Sequence, residues 1–426
     1  MAHQHYSWEK LDNSANVFPV IADENMTNTY RIAAVLKENI DGGKLQEALD
    51  IVLPKFPGFN LRMRSGIFWY YMEENGKPAP RVHEEDTYPC RYIHGSRNNS
   101  YMFRITYYRK RINMEVFHVL ADGMGGVTFL RELVYQYLRL LYPELQKRYG
   151  DGLSAETSLN REDSFKSSYR RKSKSVYERT RAYLIKGEKL PYDGFGLIHG
   201  YLSLEELKSV CKGIYGVSVN EYLVAALIQA IYRTHARGIS AHRPVRVAVP
   251  VNLRPFFDSI TTKNFFVMVS AVFYPQDNTK EYSFDEIAKI VHASLKSQIT
   301  KENLENIFSY NVSNEDMFIA RAVPLPIKNI AIRLIYTEKA LANTTTLTNI
   351  GAITVLDGYK PYIDKFNCFL SFSVGQSIKA SVCSYEGQLA FTFSSAFVDT
   401  SIQRETFRQM TKDGIHVTIE TNGVFE

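Results

Sequence analysis

A single histidine stands where an apolar run gives way to a glycine-rich turn, in the segment EVFHVLADGMGG at residues 115–126. His118 closes the run, and Asp122 and Gly123 follow four and five positions later. Imidazole has an unperturbed pKa of about 6.5, which suits a general base near neutrality. Glycines in the turn leave room for a substrate beside it. His118 is therefore the candidate base, and Asp122 a carboxylate that fixes the loop. The alternative is a packed core histidine before an ordinary turn, because the pattern fixes only three positions.

The elements around this motif are predicted from hydrophobic periodicity. Residues 101–120 read as a hairpin, YMFRITYY and INMEVFHVL joined by the basic turn RKR, so His118 falls where the second strand stops. Apolar residues from Leu130 to Leu141 then follow the spacing of an amphipathic helix. Upstream, residues 45–53 predict a helix and residues 56–75 a turn and hairpin. The motif thus lies in a strand-to-helix turn.

The second half interleaves helices and strands. Three helix starts carry a capping box, in which a Ser caps the third helical N–H and a Glu reaches back: Ser203 with Glu206, Ser218 with Glu221, Ser283 with Glu286. Strands are predicted at 245–251 and 265–274, and a hairpin at 379–397 turns at Glu386-Gly387. Between the halves, residues 150–180 lose apolar periodicity and predict a solvated crossover. We expect an N-terminal lobe at 1–175 and a C-terminal lobe at 176–426.

Composition narrows the classes of function. With 426 residues and 45% hydrophobic content, the chain can build two cores. A net charge of +6 spread along the chain argues against a nucleic-acid partner and allows an anionic small ligand. The four cysteines are far apart, so neither a metal site nor a disulfide framework is indicated. No signal peptide and no run of about 18 apolar residues is present, so we expect a cytoplasmic protein with no membrane span. We find no G-x-S-x-G elbow and no nucleotide-binding loop.

The motif HVLADG resembles the HxxxDG motif of the chloramphenicol acetyltransferase and condensation-domain superfamily of acyltransferases. Further segments resemble the bacterial alcohol acetyltransferase-like branch of that superfamily, in the same order along the chain. They are WEKLDNSANVFP, FPGFNLRMRSGIFWYYMEEN, YPCRYI, VAVPVNLRPFF, TTKNFFVMV and LTNIGAI. HxxxDG alone is weak, but its position and the order of these companions are specific.

The resemblance implies an α/β fold of two lobes, each a mixed sheet with helices, and a tunnel between the lobes with His118 at its centre. An acyl thioester, on coenzyme A or phosphopantetheine, enters one mouth as co-substrate, and a small-molecule alcohol or amine enters the other. No covalently bound cofactor is implied, and a carrier protein is a further partner. His118 would take the acceptor proton. Asp122 would anchor the loop through an arginine of the second lobe, for which Arg254 is the candidate, and Gly123 would serve the turn.

Three further polar residues are candidates for hydrogen bonds to substrate or oxyanion: Asn264, Thr348 and Asn349. A plain Thr-Asn-Ile-Gly turn explains the last two equally, just as a solvated strand-end arginine explains Arg254. The basic run at 170–174 would suit a cofactor's phosphates at a tunnel mouth, or simply a solvated loop.

Departures from relatives narrow the assignment. Peptide-forming condensation domains usually carry a second histidine where this chain has Phe117, and the DFGWG segment of plant-type acyltransferases is missing. A stand-alone bacterial O- or N-acyltransferase is the reading that remains. Two alternatives stay open: a condensation-type enzyme acting on carrier-protein substrates, and a catalytically idle member that binds a ligand or carrier in the same cleft.

Overall fold

The computed structural model describes residues 8–169, 180–238, 243–316 and 323–425. The predicted lobe boundary at 175/176 and the basic run at 170–174 lie outside these residues. The strands are β1 Trp8–Lys10, β2 Thr29–Leu36, β3 Leu61–Ser65, β4 Tyr70–Glu74, β5 His83–Glu84, β6 Phe103–Tyr108, β7 Arg111–Phe117, β8 Gly196–Ser203, β9 Val245–Asn252, β10 Phe266–Phe273, β11 Thr345–Ala352, β12 Ile363–Leu370, β13 Ile378–Tyr385, β14 Gln388–Ser395 and β15 Val417–Thr421.

The helices alternate with these strands. They are α1 Phe18–Ile21, α2 Gly42–Val52, α3 Gly123–Leu141, α4 Pro143–Tyr149, α5 Ser164–Ser167, α6 Leu204–Val210, α7 Val219–Ile231, α8 Arg254–Phe257, α9 Phe284–Gln298, α10 Lys301–Asp316, α11 Leu325–Ala340 and α12 Ser401–Lys412. Within the described ranges, no single helix is both long and apolar enough to cross a bilayer; Leu204–Tyr215 and Val219–Ala236 meet that test only together, as a pair bent by 79°.

The first lobe is built on a five-stranded sheet in the order β12-β2-β7-β6-β5. Helix α3 packs on it closely because Gly126 has no side chain: a Cβ there would lie 2.7 Å from the Tyr30 hydroxyl and 3.0 Å from Ile32. The apolar residues of β2, β7, α2 and α3 share one buried cluster. This packing fixes the end of β7 relative to the start of α3, which is where the motif lies.

The second lobe is built on a seven-stranded sheet in the order β10-β9-β11-β13-β14-β8-β15. Strand β11 runs parallel to both β9 and β13, and the other neighbours are antiparallel. Alternate residues of β13, such as Ala380 and Val382, enter the core shared with α7 and α9, whereas Cys383 packs into the first lobe's core. The other face of this sheet therefore turns toward the first lobe.

One strand crosses between the lobes. Strand β12 comes from the last quarter of the chain, yet it pairs antiparallel with β2, Phe366 opposite Ala34 and Cys368 opposite Ile32. The first sheet therefore contains a strand from the part of the chain that we assigned to the C-terminal lobe. The two lobes therefore exchange a strand, which a single boundary in the sequence does not describe.

Most local predictions are confirmed. All three predicted hairpins and the helix after the motif are present, and the turn at Glu386-Gly387 has positive φ at both residues. Ser218 and Ser283 begin helices with complete capping boxes. Ser203 also caps its helix, but the predicted return bond from Glu206 is wrong, because that carboxylate accepts instead from the His416 amide.

The crossover is less solvated than predicted over residues 150–169. The Asn160 carbonyl accepts from the Thr262 amide at 2.8 Å, and the Phe165 ring is 2% exposed in the second lobe's core. This stretch packs beside the segment that precedes β10.

Candidate active site

His118 lies directly after β7, on the boundary between the lobes. Its backbone N–H donates to the Asn28 carbonyl at 3.0 Å. The imidazole is half-buried and stacks on Phe18 with ring centroids 4.6 Å apart and planes 22° apart. Tyr30 meets it edge-on at 5.1 Å, and Phe266 of the second lobe lies 5.6 Å away. Aromatic rings from both lobes therefore hold the ring in one orientation.

The two imidazole nitrogens have different surroundings. Nδ1 lies 3.0 Å from Oδ1 of Asn264. The Asn264 Nδ2 donates to the Asp12 carboxylate at 3.0 Å and to the His118 carbonyl at 3.2 Å, so two acceptors fix the orientation of this amide. Oδ1 must then accept a hydrogen from Nδ1, which leaves the lone pair on Nε2. Among the described residues, none forms a hydrogen bond with Nε2.

Burial lowers the pKa of His118 below its ordinary value of 6.5. The negative charge of Asp122 and the hydrogen bond that Nδ1 donates to Asn264 oppose this shift, and the positive charge of Lys379 adds to it. The imidazole is therefore neutral at neutral pH. A neutral ring with one free nitrogen can accept a proton from a bound hydroxyl or amine.

Asp122 does not contact the imidazole; it ties the loop to the second lobe. Arg254 donates to both of its carboxylate oxygens, at 2.8 and 3.2 Å, so the pairing considered from sequence is present. The Phe265 amide donates to the same carboxylate at 3.2 Å. Asp122 also caps α3 by accepting from the Gly125 amide at 3.1 Å. One carboxylate thus joins the start of α3 to the segments before β10.

The glycines after Asp122 are required by close approach. A Cβ on Gly125 would lie 2.5 Å from the Thr262 carbonyl oxygen of the second lobe, a distance that backbone atoms do not tolerate. On Gly123 it would meet the side chain of Ile350 at 3.2 Å. The glycine-rich turn therefore lets the second lobe come within contact of the motif.

Asp12 completes this network and was not among the sequence candidates. It lies in the N-terminal segment that also carries Phe18, is 4% exposed, and accepts from Asn264 and from the Ala15 amide at 2.7 Å. Burial raises its pKa to about 7. The only sequence signal was its place within the family-like segment WEKLDNSANVFP. Asp12, Asn264 and His118 form a chain of hydrogen bonds that crosses from one lobe to the other and back.

The remaining candidates have different placements. We expected Asn264 to hydrogen-bond to the substrate or the oxyanion. Instead, both of its amide hydrogens and its carbonyl oxygen are engaged within the protein, so it orients His118. Thr348 is half-buried opposite Ser381 on β11, on the sheet face that turns toward the first lobe. Asn349 is exposed, and its Oδ1 accepts from the Gly351 amide at 2.8 Å.

No metal site accompanies this network in the described part of the chain, where no group of three or more His, Cys, Asp or Glu side chains lies close enough to hold an ion. A cavity of about 200 Å³ opens elsewhere on the first lobe, lined by Leu36, Tyr142 and Tyr362 among others.

The two mixed sheets meet around His118, directly after the central strand β7 of the first sheet. This arrangement is a two-lobed fold of the chloramphenicol acetyltransferase-like and condensation-domain kind. TRI101 of F. sporotrichioides, complexed with coenzyme A and T-2, is similar at a TM-score of 0.61 and 10% identity, over 97% of this chain and 99% of that one. The trichothecene 15-O-acetyltransferase of Fusarium sporotrichioides matches at 0.59 and 10%, over 97% and 95%. The first condensation domain of the calcium-dependent antibiotic synthetase, with a substrate analogue, matches at 0.61 and 11%, over 96% of each chain. No protein-family model and no curated protein matches the sequence.

Proposed function

We propose that the protein is an acyltransferase that moves an acyl group from a thioester to an alcohol or amine, with His118 as the general base. The observation that carries this proposal is the imidazole between the lobes, whose Nδ1 is held by Asn264 at 3.0 Å while Nε2 has no hydrogen-bond partner among the described residues. The ring is half-buried, and Nε2 is not among the buried atoms that lack a partner, so this nitrogen is accessible to a bound acceptor.

The reaction needs one proton transfer on each side of a tetrahedral intermediate. Nε2 of His118 takes the proton from the acceptor hydroxyl or amine as its oxygen or nitrogen attacks the thioester carbonyl. The carbonyl π electrons move onto oxygen, and the intermediate collapses by breaking the C–S bond. The imidazolium then returns the proton to the departing thiolate, so the base is regenerated without an acyl-enzyme.

The physical demands are modest because a thioester is already activated. Holding two substrates in line can contribute roughly 7 to 11 kcal/mol, and a positioned base about 10² to 10⁴-fold. Asn264 and Asp12 supply the positioning, since they fix which nitrogen carries the lone pair. Thr348, on the sheet face toward the first lobe, remains our candidate donor to the oxyanion, with Asn349 as a second candidate at the exposed end of β11.

We propose an acyl-coenzyme A as the donor. We also propose that the protein belongs to the bacterial alcohol acetyltransferase-like branch of the superfamily. TRI101 was solved with coenzyme A bound, which supports that donor in a protein of the same fold. An acyl carrier protein is the alternative donor, supported by the similarity to a condensation domain. An idle, ligand-binding protein is disfavoured because Nε2 is not occupied by a protein group.

The test is thiol release from acetyl-coenzyme A and longer acyl-coenzyme A donors with a panel of alcohols and amines, for wild type and His118→Ala. We expect release that requires both an acceptor and His118. Lys360→Met, a change at a partly exposed turn in the same chain, is the control and should behave as wild type.

If wild type and His118→Ala release thiol equally while both bind the donor, His118 is not the base for coenzyme A thioesters. Repeating the assay with an acyl group on a phosphopantetheinylated carrier protein then separates the condensation-type alternative, which predicts His118-dependent release there, from the idle one, which predicts none.

A further inference from the structure

A lysine is buried on the face of the second lobe's sheet that turns toward the first lobe. Lys379 lies on β13, opposite Ser394 of β14, and is 7% exposed. Its neighbours in sequence, Ile378 and Ala380, enter the core on the opposite face. Because side chains alternate along a strand, the amine points into the region between the lobes.

This lysine lies near His118. Its positive charge lowers the pKa of His118, so the two groups are within electrostatic reach. Its amine donates to the Ser373 hydroxyl at 2.5 Å, and the Ser373 side chain lies close enough to Tyr336 to oppose the rise that burial causes in the pKa of that tyrosine. Tyr336 packs in the same small apolar cluster as Phe18, the ring that stacks on His118. A continuous set of contacts thus links the lysine to the candidate base.

Lys379 is buried without an anion. Among the described residues, no carboxylate lies within ion-pair distance of its amine. The nearby Cys90 thiol supplies no charge at neutrality, because burial raises its pKa well above the ordinary value. Burial accordingly lowers the pKa of Lys379 to about 7. An unpaired buried lysine destabilises a fold, so its presence calls for a partner from outside the chain.

A second polar group on the same strand face lacks a partner within the part of the chain that the structure describes. Ser381 lies two residues along β13 and is 1% exposed, and its hydroxyl makes no hydrogen bond to any described residue. It stands opposite Thr348, the residue that we proposed from sequence for substrate contact. Buried hydroxyls are nearly always satisfied, which makes Ser381 an independent indication of a polar ligand.

We propose that Lys379 and Ser381 form a subsite between the lobes that binds a carboxylate carried by one of the two substrates. The ammonium would pair with the carboxylate, and the serine hydroxyl would donate to one of its oxygens. The inference rests on the proposed acyl transfer and adds a substrate class to it. The carboxylate belongs either to the acceptor, as in a hydroxy or amino acid, or to the acyl chain, as in the monothioester of a dicarboxylic acid.

Matched substrate pairs test this subsite in the full-length protein. The acceptor arm compares γ-hydroxybutyrate with n-butanol, and the donor arm compares succinyl- and glutaryl-coenzyme A with butyryl- and pentanoyl-coenzyme A. Each is measured as kcat/KM for wild type, Lys379→Met, Ser381→Ala and the control Lys360→Met. Binding of the same compounds is followed in parallel by the shift in thermal unfolding temperature.

We expect wild type to prefer the carboxylate member of at least one arm by about tenfold or more, the usual worth of a hydrogen-bonded charge. Lys379→Met should abolish the preference while unfolding at the same or a higher temperature, since it removes an unpaired buried amine. Ser381→Ala should reduce it, and Lys360→Met should keep it. The arm in which the preference appears identifies the substrate that carries the carboxylate.

A wild type without preference in either arm, or a preference unchanged in Lys379→Met, overturns the subsite while leaving acyl transfer intact. If no pair is turned over but the thermal shift from a carboxylate compound is lost in Lys379→Met, the subsite stands and the acyl-transfer proposal fails. Lys379→Gln, which keeps a hydrogen-bond donor without the charge, replaces the Met variant should that one not fold.

Discussion

Among the residues that the structure describes, His118 and His199 both lie at the boundary between the lobes, and of these two His118 alone has the surroundings of a base. His199 of β8 is 6% exposed, and its Nδ1 lies 2.8 Å from the Thr392 hydroxyl. Burial, reinforced by the charge of Arg111, lowers its pKa to about 4. His118 is half-buried, and its pKa is also lowered by burial. Both rings are therefore neutral at pH 7.

The comparison shows that a lowered pKa does not distinguish the proposed base from a packed imidazole. What differs is how each ring is held. An amide oriented by two further acceptors fixes the tautomer of His118, and three aromatic rings from both lobes fix its plane. His199 hydrogen-bonds to a single hydroxyl, which can donate or accept, and its aromatic neighbours Tyr201 and Phe369 lie farther away, at 6.2 and 6.3 Å. The two sites therefore differ in how firmly the imidazole is oriented and in how accessible it is to a ligand.

Replacing each histidine with glutamine tests this difference most strongly. We expect His118→Gln to lower kcat for acyl transfer by about 10² to 10⁴-fold, because the proton acceptor is lost. His199→Gln should leave kcat within about threefold, and should lower the free energy of unfolding by about 1 to 2 kcal/mol, because the buried bond to Thr392 is disturbed. Steady-state kinetics and chemical denaturation measure the two effects. Equal losses of kcat in both variants would remove the distinction.

The ion pair beside His118 gives the next largest effect. The side chains of Asp122 and Arg254 are 9% and 13% exposed, so Arg254→Met leaves a buried carboxylate held only by backbone amides. We expect unfolding free energy to fall by about 3 to 5 kcal/mol. The matched control is Arg333→Met, whose pair with Asp23 is about half-exposed and should contribute less than about 1 kcal/mol. A similar small loss in both variants would show that Asp122 does not join the lobes.

The local parts of this site could be predicted from sequence because their signals are local. The strand that ends at His118, the glycine turn and the helix after it follow from periodicity and turn chemistry within about 40 residues. The hairpin at Glu386-Gly387 follows for the same reason. Even here competition matters: Glu206 fits a capping box, but the distant His416 amide takes its carboxylate.

The long-range parts could not be predicted by pattern. The bond between His118 and Asn264 joins residues 146 positions apart, and Asp12 reaches the same amide from 252 positions away. Lys379 resembles an ordinary outward residue of an alternating strand, because nothing in the sequence reveals that a second lobe covers that face. Strand β12 likewise pairs with the first sheet through a contact that no local signal encodes.

Asp12 belongs to the hydrogen-bond network that holds His118, and it makes the stability of the folded protein depend on pH. A carboxyl whose folded pKa of about 7 exceeds the ordinary 3.8 favours the folded state below pH 4 and loses that contribution as pH rises to about 7. Asp12→Asn keeps an acceptor for Asn264 without the charge. Relative to this variant, wild type should therefore lose up to about 4 kcal/mol of unfolding free energy between pH 4 and pH 7. Denaturation across this range measures the difference, and a constant difference would mean that Asp12 is ionised throughout.

The smallest and most specific effect concerns the proton on His118. The proposed mechanism requires the neutral ring, so log kcat/KM should fall on the acid side with a midpoint below pH 6.5. Asn264→Asp places a carboxylate against Nδ1, which stabilises the imidazolium, so the midpoint should rise by about one unit or more.

The charges that face this ring are those of Asp122, Lys379 and, through Asn264, Asp12, so the profile is also measured with Asp12→Asn present. His199→Gln should leave the midpoint where it is in wild type. If the midpoint moves in His199→Gln and not in Asn264→Asp, the titrating group is His199 and the prediction for His118 is wrong.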